Sequence, residues 1–367
     1  MLRSRPTVRH RPFGTAPSGE DVGLWRLESP SGVYAEILTY GGVLHALGVP
    51  DTRGETANVV LSLPTVDQYA GKGPYLGALI GRYANRIAHG RFTLDGTTYR
   101  VPVNDRGHAL HGGPGGFDTR VWAATPVLGD DTAALRLALR SPDGDMGFPG
   151  ALDVTVTYAV DAAGTLSFTC AATTDRPTVV SLTNHAYFNL AGAGDVLGHT
   201  LQVDAAACLP VDADGIPLGP LRDVADTPFD LTSPRLLGEC VRAADEQIIL
   251  AGGYDHCWAL SGTGPEPGPG PLRHAARLAA PAESRVMEVW TTAPGLQVYT
   301  ANQLDGSLSD GTGRALERHG AVCLETQHFP DAPNRAEYPS AVLRPGATAH
   351  RRTEFRFPHL AGDAQVG

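Results

Sequence analysis

The chain is written mostly in short runs of alternating apolar and polar residues, the two-residue period of strands with one buried face. Val33, Ala35, Ile37 and Thr39 fall on one such face. Phe92 and Leu94 alternate into Asp95-Gly96, after which Tyr99, Val101 and Val103 resume the pattern. An Asp-Gly pair between two alternating runs predicts a tight hairpin, because both turn positions need positive φ. Further strands are predicted at 134–139, 152–160, 166–171, 179–190, 286–292, 296–300 and 321–326. Glycine (44 residues) and proline (29) punctuate these runs where turns are needed. Helical periodicity is scarce: 65–70 and 314–318 have room for a turn or two of helix each. Many strands and few short helices predict an all-β fold, a large antiparallel β-sandwich. No repeat or linker divides the pattern, so residues 1–367 are expected to form a single domain. The Gly/Pro-rich stretch 261–271 interrupts it and is expected to be a mobile loop.

Composition narrows the classes. Apolar residues make up 42%, ample for a large core, and the net charge is -10. The charge is acidic and forms no basic stripe, which argues against nucleic acid as a partner. No run approaches the roughly 18 apolar residues of a membrane span, and the basic N-terminus is not followed by a signal-peptide core. The five cysteines are dispersed and contain no C-x-x-C, which suits reduced thiols in a cytoplasmic protein.

Two segments carry most of the candidate chemistry. Read as one strand, 180–190 (VSLTNHAYFNL) puts Ser181, Thr183, His185, Tyr187 and Asn189 on one face. Such a row is either a solvated sheet face or, given its histidine, aromatic and amides without Lys or Glu, the floor of a cleft for a hydroxylated ligand. Asn184 falls on the apolar side and needs buried partners or a bulge. In 321–326 (AVCLET), Glu325 ends an apolar run that would be buried on both faces. A carboxylate there is costly unless paired or used, and burial would make it a better base near neutrality. Pairing with an arginine is the structural alternative.

Weaker candidates are Asn85 and Arg86 in GRYANRI and His111 beside the glycine-rich turn of LHGGPGGFD. In YDHCWAL, Asp255 lies on the opposite strand face from Tyr254, His256 and Trp258. Each has an ordinary alternative, an ion pair, a loop histidine or a turn residue. His108 and His111 stand three apart, but H-E-x-x-H is missing and no metal site is expected. The phosphate-binding, nucleotide-binding and nucleophile-elbow motifs are likewise missing.

In order along almost the whole chain, these segments resemble the galactose mutarotase (aldose 1-epimerase) family: TYGGVLHALGVPD, GRYANRIAHGRFTLDGTTY, LHGGPGGFD, LTNHAYFNLAG, YDH, EVWTTAPGLQVYTAN, LDG and LETQHFPDAPN. The resemblance implies an antiparallel β-sandwich with an open cleft and interconversion of the α and β anomers of a free aldose such as galactose or glucose, with no cofactor. It implies His185 as general acid and Glu325 as general base, with Asn85, Arg86, His111, Asp255 and Gln297 binding the sugar. Tyr83, Cys257 and His328-Phe329 depart from the family's usual residues and put sugar preference in doubt. The expected partner is a small free aldose, with no nucleic acid or membrane, and the expected assembly a monomer or weak homodimer. A histidine acid working near neutrality would need the cleft to raise its pKa. A non-catalytic sugar binder on the same fold, a hexose-6-phosphate 1-epimerase and a glycoside hydrolase are the competing readings; the phosphate reading requires added cations in the cleft, and the hydrolase a second carboxylate at a suitable distance from Glu325.

Overall fold

The computed structural model describes residues 5–71, 74–261 and 271–360. Antiparallel strands dominate it, in sheets of nine, six and five strands with several two-stranded pieces. The alternation that predicts the strands also builds the core. In Leu152–Asp161 every second residue is buried, so Leu152, Val154, Val156, Tyr158 and Val160 face inward. One large apolar cluster draws Ala35 and Ile37 from the five-stranded sheet, Leu135, Val154 and Phe168 from the nine-stranded sheet, and Trp258, Leu296 and Leu324 from the six-stranded sheet. The sheets are therefore packed face to face, as the pattern requires. Each fully buried Leu, Val or Phe contributes about 1.5–3 kcal/mol against the entropy of ordering the chain.

The predicted hairpin is present. Arg91–Leu94 pairs with Thr97–Arg100, Leu94 opposite Thr97, leaving Asp95 (φ 49) and Gly96 (φ 77) as a two-residue turn with positive φ at both positions. Val103 does not continue the strand and is exposed. Thr65 caps the helix Val66–Ala70, its Oγ1 accepting from the Gln68 N–H at 3.3 Å. The other expected helix is a correction: within 314–318 the chain forms the strand Ala315–Glu317, paired with Asp305–Ser309. Five residues nucleate a helix poorly, and an available strand partner wins. The short helices Leu237–Cys240 and Glu246–Ala251 were not expected. Of the Gly/Pro-rich stretch, 262–270 lies outside the described residues.

The segment 179–190 is also corrected. It is three two-residue pieces, each with a different partner. Thr178–Val179 pairs with Val342–Leu343, Thr183–Asn184 with Leu79–Ile80, and Tyr187–Phe188 with Val322–Gln327. Every residue from 178 to 190 is buried, so the polar row is not a solvated face. A chain carrying polar side chains through the interior must change partners to satisfy them. Asn184 does so, donating from Nδ2 to the Gly77 carbonyl at 2.7 Å and the Tyr158 hydroxyl at 2.9 Å. Among the described residues, no helix is long and apolar enough to cross a membrane.

Candidate active site

The six-stranded sheet sets the site through its register. Its order runs Tyr187–Phe188, Val322–Gln327, Gly295–Tyr299, Asp255–Ala259, Ala207–Leu209, Arg222–Asp223. Gln297 stands opposite Glu325, Tyr299 opposite both Asp255 and Cys323, and Cys323 opposite Tyr187. With a period of two, Asp255, Gln297, Tyr299, Cys323, Glu325 and Tyr187 share one face. His185 precedes Tyr187 by two and joins them; its ring stacks on Tyr187 with centroids 5.1 Å apart. The other face of Asp255–Ala259 packs inward, His256 and Trp258 both lying against Phe229.

His185 Nε2 lies 3.6 Å from Glu325 Oε1, and the side chains are 6% and 2% exposed. Burial drives the two in opposite directions. Desolvation lowers the His185 imidazolium to about pKa 4, opposed by its own backbone carbonyl and Asp255. Desolvation, then the nearby Asp255 charge, raises the Glu325 carboxyl well above its ordinary value, against the pull of Arg86. The cleft thus does the opposite of what a histidine acid working near neutrality would need: losing water outweighs the pull of Asp255. Glu325 behaves as the sequence suggested, and its Oε2 has no partner within the protein. On the far side of the imidazole, Cys323 Sγ sits 3.6 Å from Nδ1.

The opposite wall comes from loops. Asn85 (φ 63) and His111 (φ 53) both hold positive φ, and their backbones are cross-linked. The His111 N–H donates to the Asn85 carbonyl, while the Asn85 N–H donates to His111 Nδ1, both at 3.1 Å. That second bond fixes the tautomer: Nδ1 accepts, so the neutral ring carries its proton on Nε2. Burial, His185 and Arg86 hold His111 well below its usual pKa, which keeps it neutral. The glycines after it serve the protein more than a ligand. At Gly112 (φ +89) a Cβ would stand 2.1 Å from the Gly81 carbonyl oxygen, so the close approach is by the chain itself.

Asn85, Arg86, His111, His185, Asp255 and Glu325 line one cavity together. Gln297 reaches it through Asp255, donating from Nε2 to Oδ1 at 2.8 Å. Arg86 does two things that the sequence posed as alternatives: it faces the cavity and it holds a carboxylate, Nε to Asp105 Oδ2 at 2.8 Å. Nothing in the local pattern singles out Asp105, Tyr75 or Tyr299. Tyr75 approaches edge-on to His111 at 4.6 Å from a loop without periodicity. A lone aromatic in a Gly/Pro-rich stretch was its sole signal. Tyr83, Cys257 and Phe329 belong to one buried cluster and do not line the cavity. Tyr83 donates to the Phe329 carbonyl at 2.8 Å, so these departures are packing changes.

The fold also assembles a grouping that the sequence did not suggest. Donor atoms of His111, His185 and Glu325 all fall within 4.8 Å of one another. Two imidazoles and a carboxylate are a familiar set of metal ligands. His111 fits that use poorly, because its lone pair is spent on the Asn85 N–H and its cavity-facing nitrogen carries hydrogen. The trio suits an acid, a base and a fixed N–H donor around a small polar molecule.

Comparison with known proteins agrees in extent. The aldose 1-epimerase family model matches residues 23–356. Galactose mutarotase of Rattus norvegicus is 41% identical over 355 residues, 96% of this chain and 98% of its own length. Aldose 1-epimerase of Escherichia coli (strain K12) is 38% identical over 360 residues, 97% and 99% of the two chains. The crystal structure of galactose 1-epimerase from Lactobacillus acidophilus matches with a TM-score of 0.82 at 28% identity, covering 96% of this chain and 98% of that one.

Proposed function

The chain belongs to the aldose 1-epimerase family, and we propose that Glu325 and His185 are the base and acid with which it interconverts the α and β anomers of free aldoses such as galactose and glucose. The observation that carries this assignment is a buried carboxyl and imidazole 3.6 Å apart in a cavity lined with hydrogen-bonding groups.

Ring opening needs two proton transfers. Glu325 takes the proton of the anomeric hydroxyl as C1=O forms. The C1–O5 bond breaks with its electron pair going to the ring oxygen, which takes a proton from His185. The aldehyde turns about C1–C2, and both transfers reverse on the other face. The reacting pair is carboxylate and imidazolium, the less favoured of the two ways the free site can hold its one proton; after opening it is carboxylic acid and neutral imidazole. Both hold one proton in total. Burial favours the second distribution, so the desolvated site drives opening toward the aldehyde. The neutral His111 presents its Nε2–H as a fixed donor, while Asn85, Arg86 and Asp255 bind sugar hydroxyls, with Gln297 contributing through its hold on Asp255, and together they fix the orientation on which such a rate depends.

A sugar phosphate is disfavoured. Among the described residues, Arg86 is the one Lys or Arg lining the cavity, and its Nε is already held by Asp105. We read residues 1–367 as one domain, working as a cytoplasmic monomer or weak homodimer on a small free sugar. Sedimentation tests the assembly. Polarimetry on freshly dissolved α-galactose, α-glucose and xylose tests the function. Acceleration of at least one, lost in both Glu325→Gln and His185→Asn, is expected; full activity in either variant rejects the assignment.

A further inference from the structure

His328 ends the segment that carries Glu325, and Arg351 lies in the strand Ala349–Arg356, opposite Cys170 in the ladder. The three residues, with Ser181, line a cavity of about 20 Å³, separate from the one above. Arg351 Nη2 points at His328 Nε2. A guanidinium can only donate, so Nε2 must accept and the neutral imidazole carries its proton on Nδ1. That Nδ1 is buried and has no partner, and the same holds for Arg351 Nε. Ser181 Oγ accepts the His328 backbone N–H at 3.2 Å, leaving its own hydroxyl proton free. Arg351 Nη1 donates to the His350 carbonyl at 2.8 Å. Among the described residues, no carboxylate lies within ion-pairing distance of Arg351. Burial and the adjacent guanidinium hold His328 neutral.

The cavity thus gathers two orphaned N–H donors, a hydroxyl and the positive charge of the half-buried Arg351, with no carboxylate among the described residues to balance it. Buried donors without partners and a guanidinium without a counterion are both costly to keep. A water would satisfy the donors and leave the charge. The space holds one atom-sized guest, since a single water needs roughly 10–15 Å³. We propose that this cavity is a binding site for a small monovalent inorganic anion of the size of chloride, held by Arg351 Nε, His328 Nδ1 and the Ser181 hydroxyl. The anion supplies the missing countercharge and ties the segment after Glu325 to the segment before His185. Its role is stabilising: the site shares no residue with the acid–base pair.

Two measurements test this. A crystal of the full protein grown or soaked in sodium bromide, with data taken at the bromine absorption edge, should show an anomalous peak in contact with Arg351 and His328. In thermal unfolding with sodium chloride replaced stepwise by sodium gluconate at constant ionic strength, Tm should fall by roughly 2 °C per tenfold drop in chloride over the range where the site is filled. Arg351→Met and His328→Asn should each flatten that slope. Bromide density without a peak there, a water in its place, or an unchanged chloride slope in either variant would overturn the proposal. The diffraction arm uses the unaltered chain, so it decides even if Arg351→Met fails to fold.

Discussion

Replacing Glu325 by glutamine separates chemistry from stability. The side chain is 2% exposed, and glutamine keeps its volume and one acceptor oxygen while removing the basicity. A positioned base is typically worth about 10²–10⁴ in rate, or about 2.7–5.4 kcal/mol of barrier at ~1.36 kcal/mol per tenfold. We expect kcat to fall by at least about 10². Stability should move the other way. The folded-state pKa of Glu325 is raised above the ordinary 4.5, so its contribution to stability is intact below pH 4.5 and is lost as pH rises through the folded pKa. Glutamine has no such loss. The variant's Tm relative to the wild type should therefore climb between pH 5 and pH 8. The assays are polarimetry for turnover, calorimetry for sugar binding, and thermal scans at both pH values. Wild-type turnover in Glu325→Gln, or a Tm difference independent of pH, would refute the reasoning. So would an Asp255→Asn protein that binds sugar and does not turn it over, since Asp255 is given no proton to move.

His185→Asn should lower kcat by a similar factor, and the double variant should be little worse than the slower single one, because the two groups serve one opening step; additive losses would argue against a coupled pair. The free site holds one proton from about pH 4, where His185 would gain a second, up to the raised pKa of Glu325, so the acid limb of kcat/KM should lie near pH 4; a limb at pH 6.5 would contradict the burial argument. Asp105→Asn frees Arg86 and should raise KM several-fold with little change in kcat; an unchanged KM would remove Asp105 from the site. Burial lowers His45, His199 and His256 to about pKa 4 each. Between pH 6.5 and 4 the unfolded chain takes up protons that the folded chain refuses, at about 3 kcal/mol per histidine, so the urea midpoint should fall steeply over that window.

The sequence by itself determined most of the strands and singled out the two residues proposed as proton carriers. Alternation is a local property: Leu152–Asp161 and the Asp95-Gly96 turn follow from period and φ demands within a few residues. A carboxylate closing an apolar run identified Glu325 for a similar reason, because the cost of burying it is written in its neighbours. The tertiary structure decided everything that depends on which strands meet. The register that sets Gln297 beside Glu325 and Tyr299 beside Asp255 joins segments dozens of residues apart. The broken course of 179–190 came from three distant partners, which no local pattern records. Asp105 and Tyr75 were invisible because their meaning lies in Arg86 and His111 across the cavity. The sign of the His185 shift belongs to the same class: it is a contest between lost water and nearby charge, and both depend on how deeply the fold buries the ring.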